Sequence, residues 1–254
     1  ISRLPARHFQ AKAVAMIEGG PLEELFRKRG TPFQIIKRRD PFGLSTIRDL
    51  RQLFLLQRPD IVHTHLFGAD AWGRLAAWLA GVRHMVSTEH NINPSYGLIK
   101  RWVNRLFARR TDAFIAVSAE VKRDMERQHL PSKKIRVIHN GIDLERIIPR
   151  GQHPFRVIPR LICVARLYPQ KDHATLFRAL AFIERPWRLR LVGTGPLERE
   201  LRALAERLHM ASRIEWLGTR DDVPRLLAES DIFCLSSRWE GLGIASLEAA
   251  AAGV

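Results

Sequence analysis

The sequence predicts an α/β protein in which each of two domains is a doubly wound parallel sheet. Short apolar runs alternate with helix-like stretches along nearly the whole chain, which is the pattern of repeated βαβ units. The alternation is interrupted between Asn140 and Pro159, where glycine and proline replace any periodicity. A chain of 254 residues with 46% hydrophobic residues can form two cores. We therefore expect an N-terminal domain at 1–139, a hinge at 140–159 and a C-terminal domain at 160–254.

In the first domain, helical stretches carry apolar residues every three or four positions and end at glycine or before proline. Ser118 is a suitable N-cap, because its hydroxyl can accept a hydrogen bond from the first turn of the helix that follows. The expected strands are 11–17, Pro32–Ile36, Asp60–His65, Val82–Thr88, Ala113–Val117 and Ile135–Ile138. The expected helices are one ending at Gly30, Leu44–Leu56, Ala69–Ala80, Tyr96–Arg109 and one from Ser118 to Leu130.

The second domain repeats the alternation of strands and helices. Ligands of parallel α/β sheets bind at the carboxyl ends of the strands, so the functional residues of this domain should follow its strands. The expected strands are Arg160–Ala165, Trp187–Val192, Arg213–Leu217 and Asp231–Leu235. The expected helices are Lys171–Ile183, Leu197–Leu208, Val223–Ala228 and Ile244–Ala252.

The formal net charge of +16 is carried mainly by the first domain, since residues 1–145 hold 25 Lys and Arg residues against 14 Asp and Glu residues. Such a surface suits nucleic acid, anionic lipid headgroups or an anionic acceptor, and a merely solvated arginine-rich surface explains it equally well. No stretch reaches the roughly 18 to 20 apolar residues of a membrane span. Cys163 and Cys234 lie in apolar runs. We therefore expect a cytoplasmic protein with two reduced core cysteines.

The most informative motif is the turn that leads from the last expected strand into the alanine-rich helix Ile244–Ala252. Gly241 and Gly243 lack a Cβ atom, so backbone N–H groups at the helix start can approach a phosphate closely. Glu240 precedes the helix and Glu248 lies about two turns inside it, roughly 12 Å away at 1.5 Å per residue. One small molecule could contact both carboxylates. The alternative is that Glu240 complements the helix dipole and Glu248 is a solvated surface residue.

Two cations follow the first strand of the same domain. Arg166 comes directly after the strand and Lys171 opens the next helix, an arrangement that suits a diphosphate. As isolated residues, both would more often be solvated surface side chains. Gly193 and Gly195 form a G-x-G-P turn after the next strand, without the third glycine of the dinucleotide-binding fingerprint.

Two further segments of this half carry polar motifs. The loop W-L-G-T-R-D-D-V-P holds Thr219 and Arg220, and Asp222 is the expected N-cap of the helix that follows. The motif H-N-G-I-D, residues 139–143, spans the expected boundary between the first domain and the hinge, and Asn-Gly alone is typical of an ordinary turn.

The first domain offers imidazoles at the ends of its strands. His63 and His65 are two residues apart and therefore share one face of a strand, and His90 follows the next strand. Neither a cysteine cluster nor an H-E-x-x-H motif accompanies them in the sequence, so we expect no bound metal. A hydrogen-bonded core histidine is the alternative interpretation of His90.

Taken in their order along the chain, the motifs resemble those of retaining nucleotide-sugar glycosyltransferases of family 4, which have the two-domain, Rossmann-like GT-B fold. The similarity is carried by H-N-G-I-D, A-R-L-Y-P-Q-K-D, G-T-G-P, W-L-G-T-R-D-D and E-G-L-G-I-A-S-L-E-A, and it spans nearly the whole chain. The sequence has Gly243 where many relatives have proline. The resemblance implies transfer of a sugar from a nucleoside diphosphate to an acceptor hydroxyl, without a metal. The D-x-D pair of metal-dependent glycosyltransferases is absent from the sequence.

The resemblance also implies a role for each candidate residue. Glu240 and His90 would orient the sugar of the donor. Arg166 and Lys171 would offset the charge of the departing diphosphate, and Glu248 would hold the ribose. The residues implied to surround the rest of the donor are Gly193, Gly195, Gly241, Leu242, Gly243 and the backbone of Thr219 and Arg220.

The implied partners are a nucleotide-sugar donor and a saccharide or lipid-linked acceptor of polysaccharide, lipopolysaccharide or glycolipid synthesis. We expect the basic residues before Asn140 to gather on one face, to contact anionic lipid at the inner face of the plasma membrane, and not to bind nucleic acid. One alternative is a nucleotide-sugar epimerase or hydrolase of the same fold. Another is a basic nucleic-acid- or membrane-binding module, whose binding would weaken with salt and would not need Glu240 or Glu248.

The resemblance further implies segments beyond both ends of these 254 residues. A first strand with a glycine-rich loop would precede Ile1, and a further strand, helices and a returning segment would follow Val254. We expect the 254 residues alone to bind nucleotide weakly and to show no detectable sugar transfer, whereas an extended chain should be active. The strand Asp231–Leu235 would otherwise be an unpaired edge, which favours aggregation.

Overall fold

The structure is a computed structural model that describes residues 4–5, 7–16, 21–37, 39–40, 43–92, 97–151 and 156–254, without the side chains of residues 21, 22, 67 and 98–100. The chain divides into two compact units, Ile1–Ile138 and His139–Val254. All strand pairs in the described residues are parallel, which confirms the predicted α/β class. Within the described ranges, no helix is both long and apolar enough to cross a membrane.

The first unit contains two parallel sheets in its described part. The strands are β1 (Ala13–Met16), β2 (Phe33–Ile36), β3 (Ile61–His65), β4 (His84–Glu89), β5 (Ala113–Ala116) and β6 (Ile135–Val137). The helices are α1 (Pro21–Lys28), α2 (Leu44–Gln57), α3 (Phe67–Leu79), α4 (Leu98–Ala108) and α5 (Ala119–Arg127). β1 pairs with β2, and a separate sheet has the order β3-β4-β5-β6. These elements match the predicted ones to within a few residues; predicted positions 17–20 and Tyr96 lie outside the described residues.

Local rules explain how two of these helices are placed. The hydroxyl of Ser118 accepts a hydrogen bond from the amide of Val121 at 3.2 Å, which confirms the predicted N-cap of α5. On α3, the side chain of Arg74 is 1% exposed, forms an ion pair with Asp70 and donates to Oδ1 of Asn104 on α4 at 2.7 Å. These buried polar contacts fix the inner face of α4 against α3.

The second unit has one four-stranded parallel sheet. Its strands are β7 (Arg160–Val164), β8 (Arg188–Val192), β9 (Ile214–Gly218) and β10 (Ile232–Phe233), in the order β10-β7-β8-β9. Its helices are α6 (His173–Ala181), α7 (Glu198–Arg207), α8 (Val223–Ala228) and α9 (Ile244–Ala252). The apolar side chains of β7 and β8 form the core with the buried faces of α6 and α7.

Two predicted boundaries in this unit are wrong. Lys171 does not open α6, because Asp172 has a left-handed backbone (φ 45°) that separates a short 3-10 turn, Pro169–Lys171, from the helix. The last strand was predicted to span five residues, but β10 has two. The amide of Cys234 still donates to the carbonyl of Ile162 at 2.8 Å, and the chain then leaves the sheet.

The predicted hinge, residues 140–159, is grouped with the second unit, together with His139, which was predicted to end the first domain. The guanidinium groups of Arg150 and Arg156 each lie 3.0 Å from Oδ1 of Asp231, whose side chain is fully buried. The amide of Arg160 donates to the other carboxylate oxygen at 2.8 Å. Burial by itself would raise the pKa of Asp231, but these hydrogen bonds hold it below its ordinary value. The carboxylate therefore joins the end of the predicted hinge to the start of β10.

Candidate functional site

The loop after β7 and the loop after β10 are joined by charged and polar contacts. The ammonium of Lys171 lies 2.5 Å from Oε1 of Glu240, and the hydroxyl of Ser237 donates to the same oxygen at 2.6 Å. The side-chain amide of Gln170 donates to the carbonyl of Trp239 at 2.8 Å. Both partners of the ion pair are partly buried, with 17% of the Lys171 side chain and 25% of the Glu240 side chain exposed. The structure thus brings together two of the predicted site residues, which come from different motifs.

Backbone contacts hold the same two loops in register. The amide of Arg238 donates to the carbonyl of Gln170 at 2.9 Å, and its guanidinium donates to Asp172 at 3.1 Å. The hydroxyl of Ser236 lies 3.0 Å from the carbonyl of Lys171 and 2.9 Å from that of Asp172. The position of the Lys171 ammonium is therefore set by the protein itself, which is the condition for electrostatic preorganisation.

The G-x-G-P turn packs directly on the loop that carries Arg166. A Cβ atom at Gly193, which has φ +129°, would lie 2.2 Å from the carbonyl oxygen of Ala165. A Cβ atom at Gly195 would lie 2.4 Å from the carbonyl oxygen of Leu167. Both distances are too short for any side chain, so glycine is required at these two positions by the close approach of two backbones.

Arg166 and Glu248 have no charged partner in the described part of the chain. The side chain of Arg166 is exposed, and its guanidinium lies 5.0 Å from the ring centre of Tyr168. Glu248 is half-buried on α9. A cation and a carboxylate that the protein leaves unpaired remain available to a ligand, in contrast to the paired Lys171 and Glu240.

The start of α9 lacks a capping side chain. Gly243 occupies the N-cap position, and the first helical hydrogen bond runs from the amide of Leu247 to its carbonyl at 3.1 Å. Gly241 is buried, and Leu242 lies between the two glycines. The amide groups of the first turn have no partner within the helix, so the turn can bind an anion.

In the loop after β9, the charged side chains pair with one another. Thr219 Oγ1 lies 3.5 Å from the hydroxyl of Thr194 in the neighbouring loop. Asp222 occupies the predicted N-cap position of α8, but its side chain does not cap the helix. Its carboxylate instead accepts hydrogen bonds from Arg220, at 2.8 and 2.9 Å, and from Arg225 at 2.7 Å. Hydrogen bonds from Arg220 first, and then from Arg225, lower the pKa of Asp222. Guanidinium groups outcompete backbone amides for this carboxylate.

In the first unit, the three imidazoles form one group. Nδ1 of His65 lies 2.9 Å from Nε2 of His90, and the ring centres of His63 and His65 are 4.3 Å apart. Nε2 of His63 lies 2.7 Å from the hydroxyl of Thr88. Loss of hydration, and then the neighbouring His63 and His90, lower the pKa of His65 to about 4. The pKa values of His63 and His90 are lowered too, first by loss of hydration, so the group is uncharged at neutral pH.

His90 is half-buried and pairs with an exposed histidine, so it is not a core residue. Within the described ranges, no group of three or more His, Cys, Asp or Glu side chains has the geometry to hold a metal ion. His90 directly follows β4, so it lies at the carboxyl end of that strand, as the sequence predicted.

Several residues of the joined loops were not predicted to contribute. Gln170, Ser236 and Arg238 bond across the two loops, to partners 64 to 69 positions away along the chain. Ser237 bonds to Glu240 within its own loop. The only local signal is the polar run S-S-R directly after an apolar strand.

Comparisons with known proteins identify the family of the chain. The family profile Glycosyltransferase Family 4 matches residues 1–146, and the profile Glycosyl transferases group 1 matches residues 158–254. A UDP-Gal:alpha-D-GlcNAc-diphosphoundecaprenol alpha-1,3-galactosyltransferase of Escherichia coli is 31% identical over 84% of this chain and 62% of its own length. A GDP-mannose-dependent alpha-(1-6)-phosphatidylinositol monomannoside mannosyltransferase of Mycobacterium tuberculosis is 30% identical over 81% of this chain and 60% of its own length.

Solved structures show the same fold. HepE of Anabaena, in complex with UDP and glucose, superposes with a TM-score of 0.84 at 23% identity, over 98% of this chain and 73% of that protein. A glycosyltransferase of Rickettsia africae gives a TM-score of 0.76 at 21% identity, over 95% of this chain and 69% of that protein. The chain spans 60% and 62% of the lengths of the two relatives named above. With both halves matched by family profiles and both units Rossmann-like as in the GT-B fold, the chain belongs to glycosyltransferase family 4.

Proposed function

We propose that the second unit binds a nucleoside diphosphate sugar and that the protein transfers the sugar to an acceptor hydroxyl with retention of configuration. The observation that supports this most strongly is the contact between Lys171 and Glu240. It joins the two motifs that resemble the diphosphate and sugar sites of family 4, although the two residues are 69 positions apart. The loops are held by the protein's own contacts before any ligand is present.

In the proposed complex, the diphosphate lies between Arg166, Lys171 and the amide groups at the start of α9. Arg166 is exposed and unpaired within the described part of the chain, so it can turn to the phosphates without breaking an ion pair. Lys171 remains bound to Glu240, which keeps its ammonium fixed as negative charge develops. Gly241, Leu242 and Gly243 supply backbone amides to the phosphates.

The remaining contacts of the donor are assigned by the same family resemblance. Glu248 holds the ribose hydroxyls from α9. The backbone around Thr219 and Arg220 contacts the base, and the turn of Gly193 and Gly195 forms a wall of the nucleotide site. Glu240 and the uncharged His90 orient the sugar, for which a neutral imidazole can donate one hydrogen bond and accept another.

The proposed reaction exchanges one bond at the anomeric carbon for another on the same face. The bond from this carbon to the diphosphate oxygen breaks, and a bond to the acceptor oxygen forms. The acceptor's hydroxyl proton passes to the departing diphosphate oxygen, and the cations of the site stabilise the charge that develops there. No carboxylate is required as a nucleophile, and we propose that no metal ion is needed.

The identity of the donor and the acceptor follows only from the relatives. Their names specify UDP-galactose and GDP-mannose as donors, and diphosphoundecaprenol- and phosphatidylinositol-linked acceptors. We therefore propose a UDP- or GDP-hexose donor and a lipid-linked or saccharide acceptor. Synthesis of a polysaccharide or glycolipid in the cytoplasm, at the inner face of the membrane, fits these acceptors.

Thermal unfolding with a panel of nucleotide sugars tests donor binding. One or more UDP- or GDP-sugars should raise the melting temperature of the chain in the presence of EDTA, because a ligand that binds only the folded state stabilises it. The stabilisation should disappear in Glu240→Gln and persist in Glu206→Gln, an exposed carboxylate on α7 without a partner in the described residues. Stabilisation by no nucleotide sugar, or equal stabilisation of both variants, would contradict the proposed site. Analysis of the products that an extended chain forms with a lipid-linked acceptor separates transfer from epimerisation or hydrolysis.

A further inference from the structure

Helix α4 of the first unit presents one face to solvent that combines arginine with large apolar side chains. Trp102 is 63% exposed and Leu106 is 44% exposed. Arg101, Arg105 and Arg109 are exposed beside them. An indole ring and a leucine side chain exposed together among cations are unusual for a surface that only contacts water.

The geometry of the helix puts these five residues on one face. At about 100° per residue, Arg101, Arg105, Arg109, Trp102 and Leu106 occupy an arc of roughly 140°. Arg109 follows the last helical residue with helical dihedral angles, so it continues the same spiral. The opposite arc holds Asn104, Phe107 and Ala108, which are buried.

The charged residues of the outer face are all basic. Residues 97–110 contain Lys100, Arg110 and the three arginines named above but no acidic residue. Within the described part of the chain, none of the three outer arginines has a carboxylate partner. Asp112 is the first acidic residue after the helix. Its carboxylate accepts a hydrogen bond from the amide of Met85 at 2.8 Å and, among the described residues, forms no ion pair with these arginines.

The inner face of α4 is packed against the rest of the first unit, so the outer side chains are exposed although the helix is anchored. The amide oxygen of Asn104 accepts a hydrogen bond from Arg74 at 2.7 Å, and the ring of Phe107 lies 5.7 Å from the Arg74 guanidinium. α4 is thus anchored from behind by buried contacts, and its outer arc is left without a partner in the described first unit.

We propose that the outer face of α4 binds the surface of an anionic lipid bilayer, with the helix lying parallel to the membrane plane. Arginine guanidinium groups would contact lipid phosphates, Trp102 would sit at the level of the headgroups, and Leu106 would reach the start of the acyl chains. The proposal concerns membrane binding alone and does not rest on sugar transfer.

The apolar side chains favour a bilayer over nucleic acid as the occupant. Phosphate contacts from arginine alone would serve either partner, and Trp102 could stack on an unpaired base. Leu106 lies beside Trp102 on the arc. A phosphate backbone offers no apolar surface to its side chain, whereas a bilayer can bury both Leu106 and Trp102.

Co-sedimentation with liposomes tests the proposal. The chain should bind vesicles of equimolar phosphatidylglycerol and phosphatidylcholine and should bind phosphatidylcholine vesicles far less. Arg101→Glu/Arg105→Glu should weaken binding to the anionic vesicles by roughly tenfold or more, because each cation near an anionic surface contributes substantially. The matched control, Lys133→Glu/Arg136→Glu, changes the charge of the same unit equally at exposed positions outside α4 and should weaken binding much less.

A second measurement locates the contact. Vesicles that contain brominated phosphatidylglycerol should quench the tryptophan fluorescence of the chain, and Trp102→Phe should remove most of the quenching while leaving the thermal melt unchanged. Equal binding to neutral and anionic vesicles would overturn the proposal, as would equal loss in the two double variants or quenching unaffected by Trp102→Phe. Tight binding to single-stranded RNA that depends on Arg101 and Arg105, without binding to vesicles, would assign the face to nucleic acid instead.

Discussion

The two units hold the cations of their proposed sites in opposite ways. In the second unit, Lys171 is mostly buried, is paired with Glu240 and lies on a loop joined to its neighbour by several hydrogen bonds. In the first unit, the arginines of α4 are exposed and have no carboxylate partner in its described residues. A fixed cation suits a small ligand with one geometry, whereas free side chains suit an extended surface whose phosphates are not in fixed positions. The comparison predicts that substitutions in the loops change stability strongly and that substitutions on the outer face of α4 hardly do.

The largest effect is expected at Gly193. A methyl group there would lie 2.2 Å from the carbonyl oxygen of Ala165, on a backbone with φ +129°. Gly193→Ala should lower the free energy of unfolding of the second unit by about 3 kcal/mol or more, through strain and displacement of the loop. Urea unfolding measures this. Gly141→Ala is the control, since a Cβ atom at Gly141 meets nothing within 4 Å, and a similar small loss for both variants would show that the loops are not closely packed.

A pH-dependent loss of stability is expected next, from the buried histidine at the start of α6. His173 is 1% exposed, and neither ring nitrogen has a hydrogen-bond partner in the part of the chain that the structure describes. Burial, and then the nearby Lys171, lower the pKa of His173 to about 4, although Asp172 acts in the opposite direction. Because this pKa is below the ordinary histidine value, the unfolded chain takes up the proton first as the pH falls.

The stability of the second unit should therefore be complete at pH 7 and decline as the pH falls from about 6.5 to about 4. Over this interval, the contribution of His173 amounts to about 3 kcal/mol. His173→Leu cannot be protonated, so its free energy of unfolding should decline less steeply over the same interval. Parallel denaturant titrations at several pH values measure the difference, and identical pH profiles for the two proteins would contradict this assignment.

The pair of Lys171 and Glu240 should show a smaller coupling. Lys171→Met and Glu240→Gln each leave a partly buried charge without its charged partner, whereas the double variant removes both charges. A double-mutant cycle on the free energy of unfolding should give a coupling energy of about 2 kcal/mol. A coupling near zero would mean that the contact contributes no more than an exposed surface pair.

The smallest effect is expected on the outer face of α4. Trp102→Ala and Arg105→Ala should each change the free energy of unfolding by less than about 0.5 kcal/mol, since neither side chain is buried. Asn104→Ala is the matched substitution on the inner face of the same helix. It removes the acceptor of one N–H group of the buried Arg74, whose contact with Asp70 remains, and should cost about 2 kcal/mol. Thermal or urea unfolding of the three variants distinguishes the two faces.

The sequence predicted the architecture well because the relevant signals are local. Buried parallel strands are short apolar runs, and helices end at glycine or proline, so the strands and helices of both units could be placed to within a few residues. Ser118 was predicted as an N-cap from its hydroxyl and its place before a helix-like run, and the structure confirms it. Asp222 has two arginines within three positions, and its side chain therefore binds them instead of the helix.

The arrangement of the candidate site could be predicted only in outline. The sequence indicated that the loops after β7 and β10 lie at one edge of a sheet, and the family resemblance suggested their roles. It could not indicate that Lys171 binds Glu240, or that Ser236 and Gln170 connect the two loops, because these contacts join positions 64 to 69 residues apart. The 3-10 turn before α6 was also missed, since it depends on the left-handed backbone of Asp172, a residue with no glycine-like signal.

The central claim is that the joined loops bind the diphosphate of a nucleotide donor. Isothermal titration of the chain with UDP and GDP tests it most directly, using Arg166→Ala and Glu248→Gln against the control Arg199→Ala, an exposed arginine on α7. We predict weak but measurable binding of one nucleotide, reduced roughly tenfold or more in the first two variants, because each loses a charged contact, and unchanged in the control. Affinity that is equal in all four proteins would contradict the account.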